Sequence, residues 1–335
     1  MRLLACLFAV SVYAIGQTGS HITNLKQLTN GGQNAEAYWS PNGKRIVFQS
    51  TRDKYECDQI FLMNADGSDQ HLVSTGKGRT TCGYFLPDNK HIVYASTHQS
   101  ADACPPAPDR SKGYVWAVYP TYDIYLATDK GKIVRKLTDT NGYDAEATVN
   151  FKTKKIVYTS MASGDLELWT MNTQGNAKKQ LTKTVGYDGG AVYSRDGKKL
   201  VWRGNHPEMP DTLKRYQDLL KDNLTTPMKM EIIVADADGQ NAQQLTSFNC
   251  ASFAPTFTPD GKNIIFSSNK HKCDGRDFEL YMMDIKGRNL VQLTNFGGFT
   301  SFPEISPKGD KIIFSSSYQT KTRYEFNIFV ADWKP

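Results

Sequence analysis

Beyond its first sixteen residues, this chain of 335 residues has no apolar run close to the roughly 20 residues that a membrane-spanning helix needs. It also has no Cys-x-x-Cys pair, no His-Glu-x-x-His, no Gly-x-Ser-x-Gly and no phosphate-binding glycine loop. Helical periodicity is missing outside one segment. These absences argue against a membrane-spanning protein and against enzymes with a contiguous catalytic motif, and they predict a low helix content.

Short apolar runs that end in an aromatic residue recur six times, and their starts are spaced by 46, 64, 44, 64 and 48 residues. The runs lie at 46–48, 92–94, 156–158, 200–202, 264–266 and 312–314. Each follows a hairpin-type turn such as PDGKN, and most are followed by two further strand-like segments, the second ending in Leu and often Thr. The pattern predicts an all-β, six-bladed β-propeller with four antiparallel strands per blade.

The two ends of the repeat are complementary. The last unit supplies three strands and ends at 328–333, while an unpaired strand-like segment, LKQLT at 25–29, precedes the first unit. We expect the N-terminal strand to close the last blade, because an open edge is a liability in a β-protein. Residues 17–335 are therefore predicted to form a single propeller domain with insertions at 97–121 and 205–229.

The first sixteen residues resemble a secretory signal cleaved before Gln17, which predicts export to the periplasm or the cell exterior. In that oxidising setting cysteines favour disulfides. The five cysteines that remain after cleavage lie on one side of the predicted disc, which we call the top face. This face carries the loops that enter the innermost strands and the loops between the second and third strands. We predict a Cys250–Cys273 bond and a bond from Cys82 to either Cys104 or Cys57, which leaves one free thiol.

The turns PDGKN and PNGKR, the QLT endings and the third strands MNADG and VADADG resemble the exported TolB-like propellers, a distant WD-like repeat. The resemblance covers residues 21–333. It implies a six-bladed exported propeller that commonly binds proteins. Such repeats also occur beside peptidase domains and in some polysaccharide lyases, so the resemblance leaves both binding and catalysis open.

The segments that enter the innermost strands carry acidic residues in equivalent positions. Glu36 matches Glu146, and Asp144 matches Asp188, while Arg79 lies in the corresponding segment of blade two. We expect these groups to converge at the mouth of the central channel, where clustered carboxylates bind a cation or a basic group, or shift a pKa enough for acid-base chemistry. The alternative is that they accept hydrogen bonds from backbone N–H groups at the strand entries.

Histidines point to the same face. His98 and His206 each lie four residues after their blade's aromatic, Arg52 is the blade-one equivalent, and His271 lies five after its own. Imidazole and carboxylate together suit a divalent cation or an acid-base pair. The alternative is that the blades keep these rings too far apart to share an ion. We therefore predict no cofactor, and a divalent cation at the channel mouth stays open as the alternative.

The two insertions are also candidates for function. The first contains aromatic residues, of which Trp116 and Tyr119, with Tyr114 and Tyr122, form a stacking platform or else pack the loop onto its blade. The second predicts an amphipathic helix capped by Asp211, which acts as a lid over the mouth or as a plug.

The net charge of +6 arises largely from lysines spread over the turns at the opposite, bottom face, without a basic stripe, so a nucleic-acid partner is not expected. The prediction is an exported module that binds an extracytoplasmic protein or peptide through its top face without catalysis. Two alternatives stay open: a glycan-active or hydrolytic enzyme with a metal or acid-base site at the mouth, and an envelope scaffold that uses its rim.

Overall fold

The computed structural model describes residues 17–18, 21–322 and 324–335 of the chain. Its strands form six four-stranded antiparallel sheets arranged as propeller blades, which confirms the predicted fold. The predicted secretory signal, 1–16, lies outside the described residues. No helix in the described ranges is long and apolar enough to cross a membrane.

The first three blades follow the chain from their innermost strand outward. Two strands precede them, β1 (Gln17–Thr18) and β2 (Ile22–Gln27). Blade one consists of β3 (Gln33–Trp39), β4 (Arg45–Thr51), β5 (Gln59–Asn64) and β6 (His71–Leu72). Blade two consists of β7 (Thr80–Phe85), β8 (His91–Ser96) and, after the insertion strand β9 (Trp116–Ala117), β10 (Asp123–Thr128) and β11 (Ile133–Lys136). Blade three consists of β12 (Asp144–Val149), β13 (Lys155–Ser160), β14 (Glu167–Asn172) and β15 (Lys179–Gln180).

The second half repeats this order. Blade four consists of β16 (Tyr187–Tyr193), β17 (Lys199–Asn205) and, after helix α1 (Pro210–Lys221) and β18 (Leu224–Thr225), β19 (Glu231–Asp236) and β20 (Gln243–Gln244). Blade five consists of β21 (Ser252–Phe257), β22 (Asn263–Ser268), β23 (Glu279–Asp284) and β24 (Val291–Gln292). After β25 (Thr294–Asn295), blade six consists of β26 (Thr300–Ile305), β27 (Lys311–Ser316) and β28 (Asn327–Trp333).

The ring closes through the N-terminal strand, as predicted. β2 pairs antiparallel with β28, with Ile22 opposite Trp333 and Gln27 opposite Phe329. β2 thus supplies the fourth strand of blade six, and the first blade is tied to the last. The preceding strand β1 pairs with β25, next to blade five.

The aromatic-ended runs form the second strand of each blade and lie in the core. Ile46, Val47 and Phe48 are fully buried, and the equivalent residues of the other blades are buried in the same way. The Leu-Thr endings have a structural role as well. Thr246 accepts a hydrogen bond from the backbone N–H of Ile232 at 2.9 Å and donates to Glu231 at 2.6 Å. This contact joins the fourth strand to the start of the third, and each of the other blades has an equivalent Thr or Ser.

Every innermost strand contains one irregularity, at its third or fourth residue. The register shifts there in all six blades, and the residue has a left-handed backbone with φ between 49° and 62°. Such a bulge redirects a side chain. The six bulge residues are Glu36, Cys82, Glu146, Gly190, Ala254 and Phe302, and all six line the central channel.

Two disulfides join top-face loops. Cys250–Cys273 has a Cα–Cα distance of 4.8 Å and was predicted. The prediction for Cys82 was wrong, because Cys57 pairs with Cys104 at a Cα–Cα distance of 6.0 Å and Cys82 is the free thiol among the described cysteines. The physical reason is the bulge, which directs Cys82 into the channel and away from the outer loops that carry the other two cysteines.

The predicted helix is present as α1, but its cap differs from the prediction. Met209 occupies the N-cap position without a side-chain hydrogen bond, and Asp211 lies inside the first turn. Pro210 begins the helix, where its missing N–H has no intrahelical partner to lose. Tyr216 and Leu219 form the buried side of the helix.

Candidate functional site: a partly covered channel mouth

The two insertions join each other above the channel. β9 pairs with β18, with Ala117 opposite Leu224, and the backbone N–H of Val118 donates to the carbonyl of Asn223 at 2.8 Å. An ion pair between Lys112 and Asp222 adds a second link. We call residues 97–121 and 205–229 together the lid.

The lid rests on blades two to four through aromatic side chains. Tyr122, Tyr143, Tyr187 and Tyr216 are all buried in one apolar cluster. The hydroxyl of Tyr216 donates to the carbonyl of Gly186 at 2.7 Å and also to the Asp165 carboxylate. The lid is therefore attached to its blades by packing and by hydrogen bonds.

A buried ion pair lies beneath the lid. The Arg203 guanidinium donates to the Glu146 carboxylate, and Arg203 is only 7% exposed. Glu146 also accepts hydrogen bonds from the Thr159 hydroxyl at 2.7 Å and the Gly190 backbone N–H at 2.9 Å. Both oxygens of the Glu146 side chain are thus engaged by groups from blades three and four.

Glycine makes this arrangement possible. A Cβ at Gly190, where φ is +62°, would lie 2.0 Å from Nη1 of Arg203. A Cβ at Gly189 would lie 2.6 Å from the Glu146 carboxylate. Gly190 therefore leaves the space that the Arg203 side chain fills, and Gly189 leaves the space for the Tyr187 hydroxyl and the Glu146 carboxylate.

Trp116 of the lid covers the same ion pair. The guanidinium carbon of Arg203 lies 5.4 Å from the Trp116 ring centroid and 5.3 Å from that of Tyr187. Cation–π contact of this kind stabilises a guanidinium that has lost its water. Trp116 thus closes the mouth above blades three and four rather than offering a free stacking surface.

The channel below holds a small cavity of about 40 Å³. Glu36 and Cys82 line it beside Glu146 and Arg203. Burial raises the pKa of Glu36 to about 7, although a hydrogen bond from the Cys82 thiol opposes the rise. Burial and the nearby Glu36 raise the pKa of the Cys82 thiol well above its usual value. Glu36 is the carboxyl in this channel best suited to exchange a proton near neutral pH.

The other predicted acidic residues have structural partners. Asp188 accepts hydrogen bonds from Trp202 Nε1 at 2.6 Å and His206 Nε2 at 3.0 Å. Asp144 is fully buried and bonds to the hydroxyl of Thr140, and burial raises its pKa. The structure therefore brings Glu36 and Glu146 together in the channel, while Asp144 and Asp188 lie outside its lining.

The histidines do not converge. The His98 ring lies tilted against that of Tyr125, with centroids 4.4 Å apart, and His271 contacts the Tyr281 hydroxyl at 3.2 Å. Of the three top-face histidines, His206 alone has an ion-pair partner among the described residues, and that partner is Asp188. Among the described residues no group of three or more His, Cys, Asp or Glu side chains is placed to hold a metal ion.

The predicted arginines have local partners. Arg52 donates to the side chain of Asn34 at 2.7 Å and lies over the Phe48 ring, with 5.4 Å between its guanidinium carbon and the centroid. Arg79 forms an ion pair with Asp58 at 3.2 Å. Arg52 therefore supports the strand entry of its own blade, whereas Arg79 links the entry of blade two to blade one.

The other aromatic residues of this stretch, two in the lid and Tyr122 directly after it, have different surroundings. Tyr119 donates to the carbonyl of Pro106 at 2.6 Å, within its own insertion, and Tyr122 is 4% exposed. Tyr114 is exposed and lies beneath the guanidinium of Arg276, 6.0 Å from its centroid. Tyr119 and Tyr122 therefore fit the alternative in which the aromatic side chains pack the insertion onto its blade.

Two functional features escaped the sequence analysis. One is Arg203, whose signal was present, because the position directly after the aromatic of blade four is Arg where other blades have Gln, Ala, Thr or Ser. The other is a group of rings on blades five and six that we call the phenylalanine cluster, with centroid separations of 4.7 to 6.5 Å. Its members are Phe253, Phe278, Phe299, Phe302 and Phe326.

The phenylalanine cluster continues the mouth on the side of blades five and six. Phe299, Phe302 and Phe326 are only partly buried, and Phe302 is the channel-lining bulge residue of blade six. Phe253 meets the edge of the Trp116 ring at a centroid distance of 6.1 Å. An apolar, partly exposed surface therefore runs from the lid across the opening of the channel.

This architecture, six blades closed by an N-terminal strand around a narrow channel, is that of a TolB-like β-propeller. A structure from Agrobacterium tumefaciens that carries the TolB name matches with a TM-score of 0.62 at 16% identity, covering 95% of this chain and 100% of that one. TolB from Acinetobacter baumannii matches with a TM-score of 0.57 at 18% identity, covering 90% of this chain and 63% of that one. At these identities the likeness concerns the fold.

Enzymes share the fold as well. An oligogalacturonate lyase in complex with manganese matches with a TM-score of 0.53 at 14% identity, and covers 95% of both chains. No curated protein sequence matches this chain. A sequence model for the substrate binding domain of ABC-type glycine betaine transport systems matches residues 129–251. That segment is well under half of the chain and runs through the sheets of blades two to four, so the match is at odds with the observed fold.

Proposed function

We propose that this protein is an exported binding module that holds a segment of an extracytoplasmic protein or peptide at its top face. The observation that carries the proposal is the partly exposed phenylalanine cluster, which lies beside the lid at the channel opening. Large aromatic side chains supply much of the binding energy at protein interfaces. We infer that an apolar side chain of the partner packs against Phe299, Phe302 and Phe326.

Charge at the mouth favours one kind of partner. Arg203 is already neutralised by Glu146, whereas Glu36 carries no ion-pair partner among the described residues. A partner segment with apolar side chains and one basic group therefore fits this surface best. Export is supported by the two disulfides, because such bonds persist mainly outside the reducing cytosol.

The catalytic alternative rests on Glu36, whose pKa near 7 suits proton transfer. Its channel neighbours favour binding instead, because Glu146 is tied to Arg203 and the Cys82 thiol is held in its protonated form. Replacement of Glu36 by Gln tests the alternative directly. If the purified protein cleaves any member of an oligosaccharide or peptide panel and E36Q abolishes that cleavage, the binding proposal is wrong.

The binding proposal is tested with peptides selected from a random display library on the purified protein. Affinities are then measured by calorimetry for the wild type, F299A, F326A and the matched control F151A, which removes a phenylalanine at the opposite end of the channel. We expect the two cluster variants to bind at least about tenfold more weakly and F151A to match the wild type. Equal affinities for all four proteins would contradict the proposal, provided that thermal unfolding shows each variant to be folded.

A further inference from the structure

The bottom end of the channel contains a second cavity that plays no part in the proposed function. Its volume is about 120 Å³, three times that of the cavity near Glu36, and it is open to solvent. Trp39, Tyr193 and Phe257, the last residues of three innermost strands, form its walls. Glu304 closes the inner end, where its carboxyl group accepts the Trp39 backbone N–H at 2.5 Å.

The rim of this cavity departs from the repeat at two blades. In four blades the second residue of the bottom turn is proline, whereas blade three has Phe151 and blade four has Arg195. Phe151 is 36% exposed and its ring lies 5.9 Å from that of Tyr84. The exposed Arg195 donates one hydrogen bond to the carbonyl of Pro307 in blade six and has no ion-pair partner among the described residues. The departures therefore place one ring and one unneutralised guanidinium at the opening.

The surrounding turns carry excess positive charge. The six bottom turns, 40–44, 86–90, 150–154, 194–198, 258–262 and 306–310, contain eight Lys or Arg residues and four Asp residues. Three of those carboxylates, Asp88, Asp196 and Asp260, accept backbone N–H groups of their own turns. An opening surrounded by excess positive charge concentrates anions and repels cations.

We propose that this bottom cavity binds a small aromatic monocarboxylate, with its ring among Trp39, Tyr193, Phe257 and Phe151 and its carboxylate on Arg195. Size agrees, since an apolar cavity of about 150 Å³ holds benzene, and an open one of 120 Å³ holds a ring whose carboxylate projects to the rim. A guanidinium binds a carboxylate through two parallel hydrogen bonds.

The carboxyl group at the inner end of the bottom cavity does not repel an anionic ligand. Burial raises the pKa of Glu304 to about 8, although hydrogen bonds from Trp39 and Tyr84 lower it in part. At neutral pH Glu304 is therefore largely uncharged and does not repel an anion.

The test uses the purified full chain and three probes of the same size: benzoate, benzyl alcohol and benzylamine. Binding is followed by saturation-transfer NMR and titration. We expect saturable binding of benzoate, weaker binding of benzyl alcohol and none of benzylamine. A site of this kind should saturate well below about 10 mM benzoate. If no saturable binding is seen up to that concentration, the proposal is overturned.

Three variants locate the site. R195Q removes the charge at an exposed position, and we expect benzoate affinity to fall about tenfold or more, which corresponds to the loss of one charge-assisted contact. F151A should weaken benzoate and benzyl alcohol alike. The matched control K262Q removes a positive charge from an equivalent turn, away from the cavity lining, and should change affinity less than about twofold. Benzoate affinity that is unchanged in R195Q, or that falls in F299A at the top face, would show that the assignment is wrong.

Discussion

Trp116 lies over the guanidinium of Arg203, with 5.4 Å between the guanidinium carbon and the ring centroid, although the two residues belong to different blades. Arg203 in turn pairs with Glu146 of a third blade. One buried guanidinium thus connects the blade-two insertion with the innermost strands of blades three and four. The lid and the channel are therefore coupled through a single side chain.

Replacement of Arg203 should destabilise the protein strongly. R203M leaves Glu146 as a buried carboxylate without its counter-ion, and breaking such a pair costs about 3–5 kcal/mol. The free energy of unfolding, measured with urea, should fall by that order. The double variant E146Q/R203M should recover much of the loss, because no uncompensated charge remains. A double variant no more stable than R203M would show that packing rather than charge dominates.

Removal of the Trp116 ring should loosen the lid without unfolding the blades. In W116A the guanidinium of Arg203 loses its cover, and the strand pair β9–β18 loses a packing contact. We expect faster proteolytic cleavage within 205–229 and faster hydrogen exchange at Val118, whose N–H bonds to Asn223. Y114A, which alters an exposed residue of the same insertion, is the matched control and should behave as the wild type does. Equal cleavage rates in all three proteins would contradict the coupling.

Stability should decrease as pH rises from about 5 to 8. Burial raises the pKa of Glu36 and Glu167 to about 7 and that of Glu304 to about 8, so the folded state binds more protons than the unfolded state in this range. As each of these groups ionises, the free energy of unfolding should fall by an amount on the order of 1–3 kcal/mol. Urea unfolding at several pH values measures the slope. The triple variant E36Q/E167Q/E304Q should flatten it, and E208Q, at an exposed position, should not.

His206 should also make the protein less stable as pH rises. Burial alone would lower the pKa of His206, but the hydrogen bond and charge of Asp188 outweigh it and raise the pKa above its usual value. A raised histidine pKa contributes stability that is complete below the unfolded value of about 6.5 and is lost as pH rises through the folded value. H206Q should therefore lower stability at pH 6 more than at pH 9. NMR titration of the imidazole provides an independent measurement, and an unshifted pKa would contradict the expectation.

Thiol chemistry should identify Cys82 as the free cysteine. In a chain that starts at Gln17 under non-reducing conditions, a thiol reagent should label one cysteine per molecule once the protein is unfolded. In the native state labelling should be much slower, because burial and Glu36 raise the pKa of the thiol and thiolate is the reactive form. C82S should remove the signal, whereas persistent labelling in C82S would indicate that a disulfide is open.

The architecture could be predicted from the sequence alone, because turns, alternating strands and Leu-Thr endings are local features that the blades repeat. The sequence also placed Glu36 and Glu146 in equivalent positions, and both line the channel. Contacts between blades became visible only in the folded chain. The bulge turns Cys82 inward and leaves Cys104 to Cys57, and the space at Gly190 admits Arg203. Such contacts depend on side-chain direction and on separations between blades, which no local pattern records.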